Sequence, residues 1–224
     1  MTGPRHSFVI PCYRDAQGIA RQLAWFAGRS EEIEVIVVDD ASPEDIEAVV
    51  RAPALPANVT LHYLRNDTNL GPGPSRNRGL AQASGDHLSF LDADDLLTDS
   101  FFAYTALSPL RNGADFVMIR YHLATGEAGR HSYRMHRIDD MFFSNMHLGA
   151  FPARVFSLEE LPSALRTVNY PWNKIYRTGF LHEAGISFPD QRMHEDIQPH
   201  WQSFLRARRF GVMAWAPPLI HHFE

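Results

Sequence analysis

Along the first hundred residues, short apolar runs alternate with longer amphipathic stretches. Ser7-Phe8-Val9-Ile10 is an apolar run ended by Pro11. Ile19, Leu23 and Phe26 then recur at helical spacing within residues 16–27. The run from Ile33 to Val38 is β-branched, predicts a strand, and ends in Asp39-Asp40. Ser42-Pro43-Glu44-Asp45 reads as a helix start, with Ser42 as N-cap and Pro43 in the first turn. Val59 to Leu64 predicts a third strand and His87 to Leu91 a fourth, with a polar turn and the segment Gly71 to Leu80 between them. This alternation predicts an α/β protein with a mostly parallel sheet and helices on both faces. Ligands bind at the C-terminal edge of such sheets. Pro11-Cys12-Tyr13, Asp39-Asp40 and Asp92 to Asp95 should therefore converge on one crevice.

The second half has a weaker pattern. Ser100 to Leu110 reads as a helix and Ala114 to Tyr121 as a strand. Residues 124–137 are polar, with five Arg or His residues, and read as a hairpin or mobile loop. His122, His131 and His136 lack metal-ligand spacing and read as surface histidines. Met141, Phe142, Phe143, Met146, Phe151 and Phe156 read as packing side chains. A helix is expected over Ile197 to Arg208 and a strand over Arg209 to Trp215.

Composition narrows the class. The 224 residues, 45% of them hydrophobic, suit one large domain or one domain with an appended lobe. A net charge of −5 and no run of Lys or Arg argue against a nucleic-acid partner. The single cysteine, Cys12, excludes a disulfide framework and fits a reducing compartment. No apolar stretch approaches the ~20 residues of a membrane span, and no charged-then-apolar leader precedes Phe8. The expectation is a cytoplasmic protein.

The chemistry is densest at Asp92-Ala93-Asp94-Asp95. Like charges a few ångströms apart stay ionised together only around something cationic. A divalent ion held by oxygen ligands, with a phosphate completing its shell, fits this cluster. The competing reading is a solvated acidic turn capping a helix that starts near Asp99. A dinucleotide fold would place its glycine fingerprint after the first strand, but Tyr13 to Gly18 offers a single glycine there. A P-loop is absent as well.

Four motifs, in order, resemble a family 2 glycosyltransferase with the GT-A fold. They are Ile10-Pro11-Cys12-Tyr13-Arg14, Val38-Asp39-Asp40-Ala41-Ser42, Asn69-Leu70-Gly71 with Ser75-Arg76-Asn77-Arg78-Gly79, and Gly85 to Asp95. The resemblance implies a Rossmann-like, mostly parallel or mixed central sheet with a smaller acceptor-side lobe. Residues 1–98 would form the nucleotide-sugar half of a single domain and 99–224 the acceptor half. Tyr13 would stack near a uracil-type base and Asp40 would accept from its N3–H, an acceptor that equally suits thymine or the N1–H and N2 of guanine, with Pro11, Arg14, Asp39 and Ala93 also on the nucleotide side. Asp39 has the alternative of capping the following helix. Arg76 would approach the phosphates or base. Asp92 would face the ribose or a metal-bound water, Asp94 would ligate Mg²⁺ or Mn²⁺, and Asp95 would start the next helix or orient Asp94.

The resemblance extends into the second half. Pro171 to Arg177 is similar to a motif of a family subgroup, which puts Trp172 on the acceptor side and Lys174 near the diphosphate; a solvated turn lysine is the alternative. Glu195-Asp196 matches the family's general-base position, with Asp196 as base and Glu195 as alternate, or both as helix caps. A helix N-terminus lowers a carboxylate's pKa, so burial would have to compensate. His221 or His222 would ligate metal or phosphate. The implied enzyme moves one sugar, with inversion, from a nucleotide-diphosphate sugar, UDP-type favoured, to a glycan or lipid-linked acceptor, with peripheral membrane association an option. The rivals are a nucleotidyltransferase, whose Gly-rich signature after the first strand is missing, and an inactive GT-A scaffold.

Overall fold

Residues 5–102, 109–125, 132–146, 153–214 and 219–222 are described by the computed structural model. Strand β1 (His6–Cys12) runs parallel to β2 (Ile33–Asp39) on one side and to β4 (His87–Phe90) on the other. With β3 (Val59–Arg65) they form a parallel block in the order β3-β2-β1-β4. The inner strands are apolar on both faces because both are covered by helices. Phe8 packs on Phe26 of α1 (Ala16–Ala27), with ring centroids 4.9 Å apart. The next residue, Val9, points the other way. There a Cβ on Gly79 of α3 (Pro72–Gln82) would lie 2.3 Å from Val9 Cγ1, so glycine is what lets this helix lie close to the sheet.

Two boundaries differ from the sequence pattern. Pro11 lies inside β1 rather than ending it. Leu91 N–H donates to the Val9 carbonyl, and Pro11 faces the same side two residues on, past the point where β4 has ended. A missing N–H there costs no ladder bond. The second helix, α2 (Ile46–Arg51), is capped by Asp45, whose side chain accepts from Ala48 N–H, not by Ser42. Ser42 is instead drawn back onto the strand end, its N–H donating to Asp39 Oδ1 at 2.8 Å.

Beyond β4 the sheet changes direction. Antiparallel β10 (Lys174–Arg177) lies next, followed by β6 (Phe116–Ile119), β11 (Phe210–Met213) and β9 (Ala153–Phe156), eight strands in all. Rings of Tyr176, Phe180, Phe204 and Phe210 surround Phe116 in this part of the core. A second sheet joins β5 (Leu96–Leu97), β12 (Leu219–His222), β7 (His122–Thr125) and β8 (Ser132–Arg134) in that order. The antiparallel β7–β8 pair is the hairpin expected over 124–137; its centre, His131 included, lies outside the described residues.

Of the helix expected from Ser100, Phe101 and Phe102 are helical, residues 103–108 lie outside the described residues, and Pro109–Asn112 is a 3₁₀ turn. The aromatic segment contains α4 (Arg137–Ser144), which buries Phe143 but exposes Met141, contrary to the packing role expected for that methionine; Phe151 and Trp215 lie outside the described residues. Two further helices, α5 (Thr178–Glu183) and α6 (Ile197–Arg206), flank β10 and precede β11.

Candidate active site

Where β4 ends, the chain folds into a turn that ties its own carboxylates down. Asp95 Oδ2 accepts from Asp92 N–H at 2.7 Å, and Asp95 N–H donates back to the Asp92 carbonyl at 3.1 Å. Gln22 of α1 donates to the carbonyls of both, at 2.7 and 3.0 Å. A Cβ on Gly18 would come within 2.3 Å of the Ala93 carbonyl, so the start of α1 rests directly on this turn. The chain then continues as β5, whose pairing of Leu96 with Ile220 brings His221 alongside. His221 Nδ1 lies 2.7 Å from Asp95 Oδ1 and 3.9 Å from Asp94 Oδ1. The His221 ring stacks on Trp172 with centroids 4.9 Å apart and planes 15° from parallel.

Asp92, Asp94 and His221 each offer a ligand atom within 4.8 Å of the others. Two carboxylates and an imidazole fit Mn²⁺, or Mg²⁺ with less nitrogen preference. Burial pushes the Asp94 carboxyl up, and Asp92 adds to this against the pull of His221. Burial alone would lower His221, but the hydrogen bond to Asp95 and three nearby carboxylates outweigh it and raise it to about 8. Asp95 neither starts a helix nor reaches Asp94; it holds His221 and the Asp92 amide, as an outer carboxylate orients a metal-binding histidine.

The other strand ends form the facing wall. Tyr13 is half-exposed beneath the Arg14 guanidinium, 5.1 Å from its ring centroid, and Arg14 has φ = 59° with its N–H donated to Ser42 Oγ. Asp40 lines the cleft, yet its oxygens already accept from Asn66 Nδ2, Leu70 N–H and Gly71 N–H at 2.7–2.9 Å. It shapes the third-motif turn. Asp39 is a correction: it is fully buried, outside the cleft lining, and engaged by Tyr63, Arg65 and the Ser42 amide. It braces β2 against β3 and is placed neither to touch a nucleotide nor to cap α2.

On the acceptor side, Arg76 of α3 is buried and bridges two carboxylates. Its Nη2 lies 2.5 Å from Asp92 Oδ1 and its Nη1 2.9 Å from Glu195 Oε1. The arginine expected at the phosphates thus joins the acidic turn to the Glu195-Asp196 segment. Asp196 sits at the start of α6 without capping it through its side chain. Burial, then the neighbouring Glu195, raises its carboxyl, which supplies the compensation for the helix terminus. Lys174 fits neither expectation. It is fully buried in β10, donates to the Tyr170 carbonyl and Asn173 Oδ1 at 2.8 and 2.7 Å, and burial pushes it down to about 7. Trp172 is likewise buried; its contact with the site is the stack on His221.

Pro11, Tyr13, Arg14, Asp40, Arg76, Asp92, Ala93, Asp94, Glu195 and His221 line one cleft of about 1400 Å³. Arg21 and Arg192 line it too and were not anticipated. Gln17 and Arg21 stand four residues apart on α1 and both line the cleft, a spacing the sequence does contain for Arg21; Arg192 carries none.

A parallel block that turns antiparallel at β4, with an Asp-x-Asp turn at the change of direction, defines the GT-A fold. The chain belongs to glycosyl transferase family 2, whose family model matches residues 7–180. It is 24% identical over 214 residues to the poly(ribitol-phosphate) β-N-acetylglucosaminyltransferase TarS of Staphylococcus aureus, covering 94% of this chain and 34% of that protein. It is 35% identical over 111 residues to the succinoglycan biosynthesis protein ExoW of Rhizobium meliloti, covering 48% of this chain and 34% of that one. The chain spans about a third of the length of these relatives. The crystal structure of TarS residues 1–349 in complex with UDP-GlcNAc superposes with a TM-score of 0.75 at 24% identity, covering 98% of this chain and 59% of that one.

Proposed function

We propose that this chain is the catalytic domain of a metal-dependent, inverting glycosyltransferase that moves one sugar from a UDP-sugar to an acceptor hydroxyl in surface-glycan synthesis. The single observation that carries the reading is the Arg76 bridge, in one cleft, between the Asp92–Asp94–His221 trio and Glu195, with Asp196 the next residue along, just outside the lining. The relatives include a poly(ribitol-phosphate) β-N-acetylglucosaminyltransferase and a succinoglycan biosynthesis protein, and TarS has been crystallised with UDP-GlcNAc. The uridine would lie against Tyr13, with Arg14, Arg21 and Arg192 available to the diphosphate.

Asp92, Asp94 and His221 would hold Mn²⁺ or Mg²⁺, which when bound offsets charge on the departing diphosphate. Asp196 takes the proton of the acceptor hydroxyl. That oxygen bonds to the anomeric carbon from the face opposite the nucleotide, and the bond from that carbon to the diphosphate breaks. Inversion follows from the single displacement, and no covalent sugar–enzyme bond is needed. Glu195 is the poorer candidate because its Oε1 is already taken up by the Arg76 guanidinium at 2.9 Å. Asp196 has no arginine contact of that kind, and burial leaves it more basic than an exposed carboxylate.

No helix among the described residues is long and apolar enough to cross a membrane. A cytoplasmic enzyme meeting a glycan or lipid-linked acceptor at the membrane surface is consistent with this. The test is UDP release from a panel of UDP-sugars with and without Mn²⁺. Metal-dependent release that Asp196→Asn abolishes, with UDP binding retained, supports the reading. Nucleotide binding without turnover on any donor and acceptor would favour the scaffold alternative.

A further inference from the structure

We infer that Asn77 is a positioning residue that registers the base-bearing segment on α3, an inference that rests on the reading of Asp196 as the base. The segment from Phe188 to Asp196 leaves the core at Phe188, whose ring is buried, packs edge-on against Phe90 at 5.0 Å and lies under the Arg76 guanidinium. From there residues 190–194 are exposed, and His194 adopts φ = 61°. Such a segment has little packing of its own to fix where Asp196 stands.

Two consecutive residues of α3 hold its two ends. Asn77 Nδ2 donates to the Phe188 carbonyl at 2.7 Å, and Asn77 Oδ1 accepts from Phe188 N–H at 2.9 Å. This reciprocal pair fixes both the height and the rotation of the backbone at Phe188, which one hydrogen bond would not do. Arg76 holds the other end through Glu195. One turn earlier on the same face, a Cβ on Gly73 would lie 2.7 Å from the Pro189 carbonyl and 3.3 Å from Glu195 Cβ. Gly73, Arg76 and Asn77 therefore form one contact surface, and α3 carries the base segment into register with the Asp92 turn that Arg76 also grips. Small displacements of a reacting group cost rate steeply, about 10²-fold for 1 Å.

The experiment compares wild type with Asn77→Ala and Asn77→Asp. The aspartate keeps the acceptor for Phe188 N–H and loses the donor to its carbonyl. Amide hydrogen exchange is read for peptides covering 186–196 and, as an internal reference, 87–95. UDP affinity in Mn²⁺ and turnover of UDP-GlcNAc are read on the same proteins. In Asn77→Ala, exchange over 186–196 should rise at least about tenfold with 87–95 unchanged, UDP affinity should stay within about twofold, and kcat should fall about 10- to 100-fold. Asn77→Asp should fall between. Unchanged exchange over 186–196, or faster exchange with full kcat, overturns the positioning role. Asp196→Asn separates the two claims: if it retains turnover the base assignment fails, while the exchange data still decide whether Asn77 anchors the segment.

Discussion

The two carboxylate groups that Arg76 joins are built in opposite ways. The Asp92–Asp95 turn is bound from within. Its amides and side chains close on each other, α1 donates from below, and β12 supplies His221 from the side. The Glu195-Asp196 pair is bound from without. Asp196 does not cap its own helix, and the segment before it hangs on α3 through Asn77 and Arg76. The difference teaches where each function comes from. A metal needs several ligands held at once, which a strand end crossed by a second sheet provides. The proposed base needs a basic carboxylate, and half-burial beside Glu195 raises that of Asp196.

Four changes test this contrast. The largest effect should come from Asp196→Asn, which removes the base without touching the metal set. A drop in kcat of about 10²- to 10⁴-fold is expected, with UDP affinity unchanged; calorimetry alongside initial rates would reveal a loss of binding, which the contrast does not allow. Asp39→Ala comes next and should act on stability alone. It removes a buried acceptor shared by Tyr63 and the Ser42 amide, a cost of about 1–3 kcal/mol in chemical denaturation. UDP affinity of the folded fraction should be unchanged.

His221→Ala should weaken Mn²⁺ binding about 10- to 100-fold, by titration of the ion alone. The smallest effect concerns Lys174. Its folded pKa is about 7 against 10.5 for an ordinary lysine, so between those values the unfolded chain carries a proton that the folded one lacks. Stability should therefore rise with pH across that window, by up to about 1.4 kcal/mol per unit from this group, and Lys174→Met should remove the rise. Denaturation midpoints at pH 7, 8 and 9 measure it. Equal slopes in wild type and variant would mean that the buried amine stays charged.

Much of the donor half was legible because its chemistry is local. Apolar and β-branched runs gave β1 to β4, and the strand ends named Tyr13, Arg14, Asp92 and Asp94 directly. What stayed hidden depended on contacts between distant residues. Nothing near Asp39 in sequence shows that Tyr63 and Arg65 will claim it. Lys174 looked like a turn residue because its partners, Tyr170 and Asn173, satisfy it through a backbone carbonyl and an amide rather than an acid. His221 was reached only through the family resemblance; the β5–β12 pairing that delivers it spans more than a hundred residues. Ser42-Pro43 carried a helix-start signal that Asp45, three residues on, takes over.

The most direct measurement is thermal unfolding with UDP, with and without Mn²⁺, in wild type, Asp94→Asn and Asp196→Asn. A ligand bound only by the folded state raises the midpoint by mass action. The account predicts a UDP shift that requires Mn²⁺ in wild type and in Asp196→Asn, and that disappears in Asp94→Asn. An equal shift without the metal, or one that survives Asp94→Asn, would contradict the claim that Asp92, Asp94 and His221 form the donor's metal site.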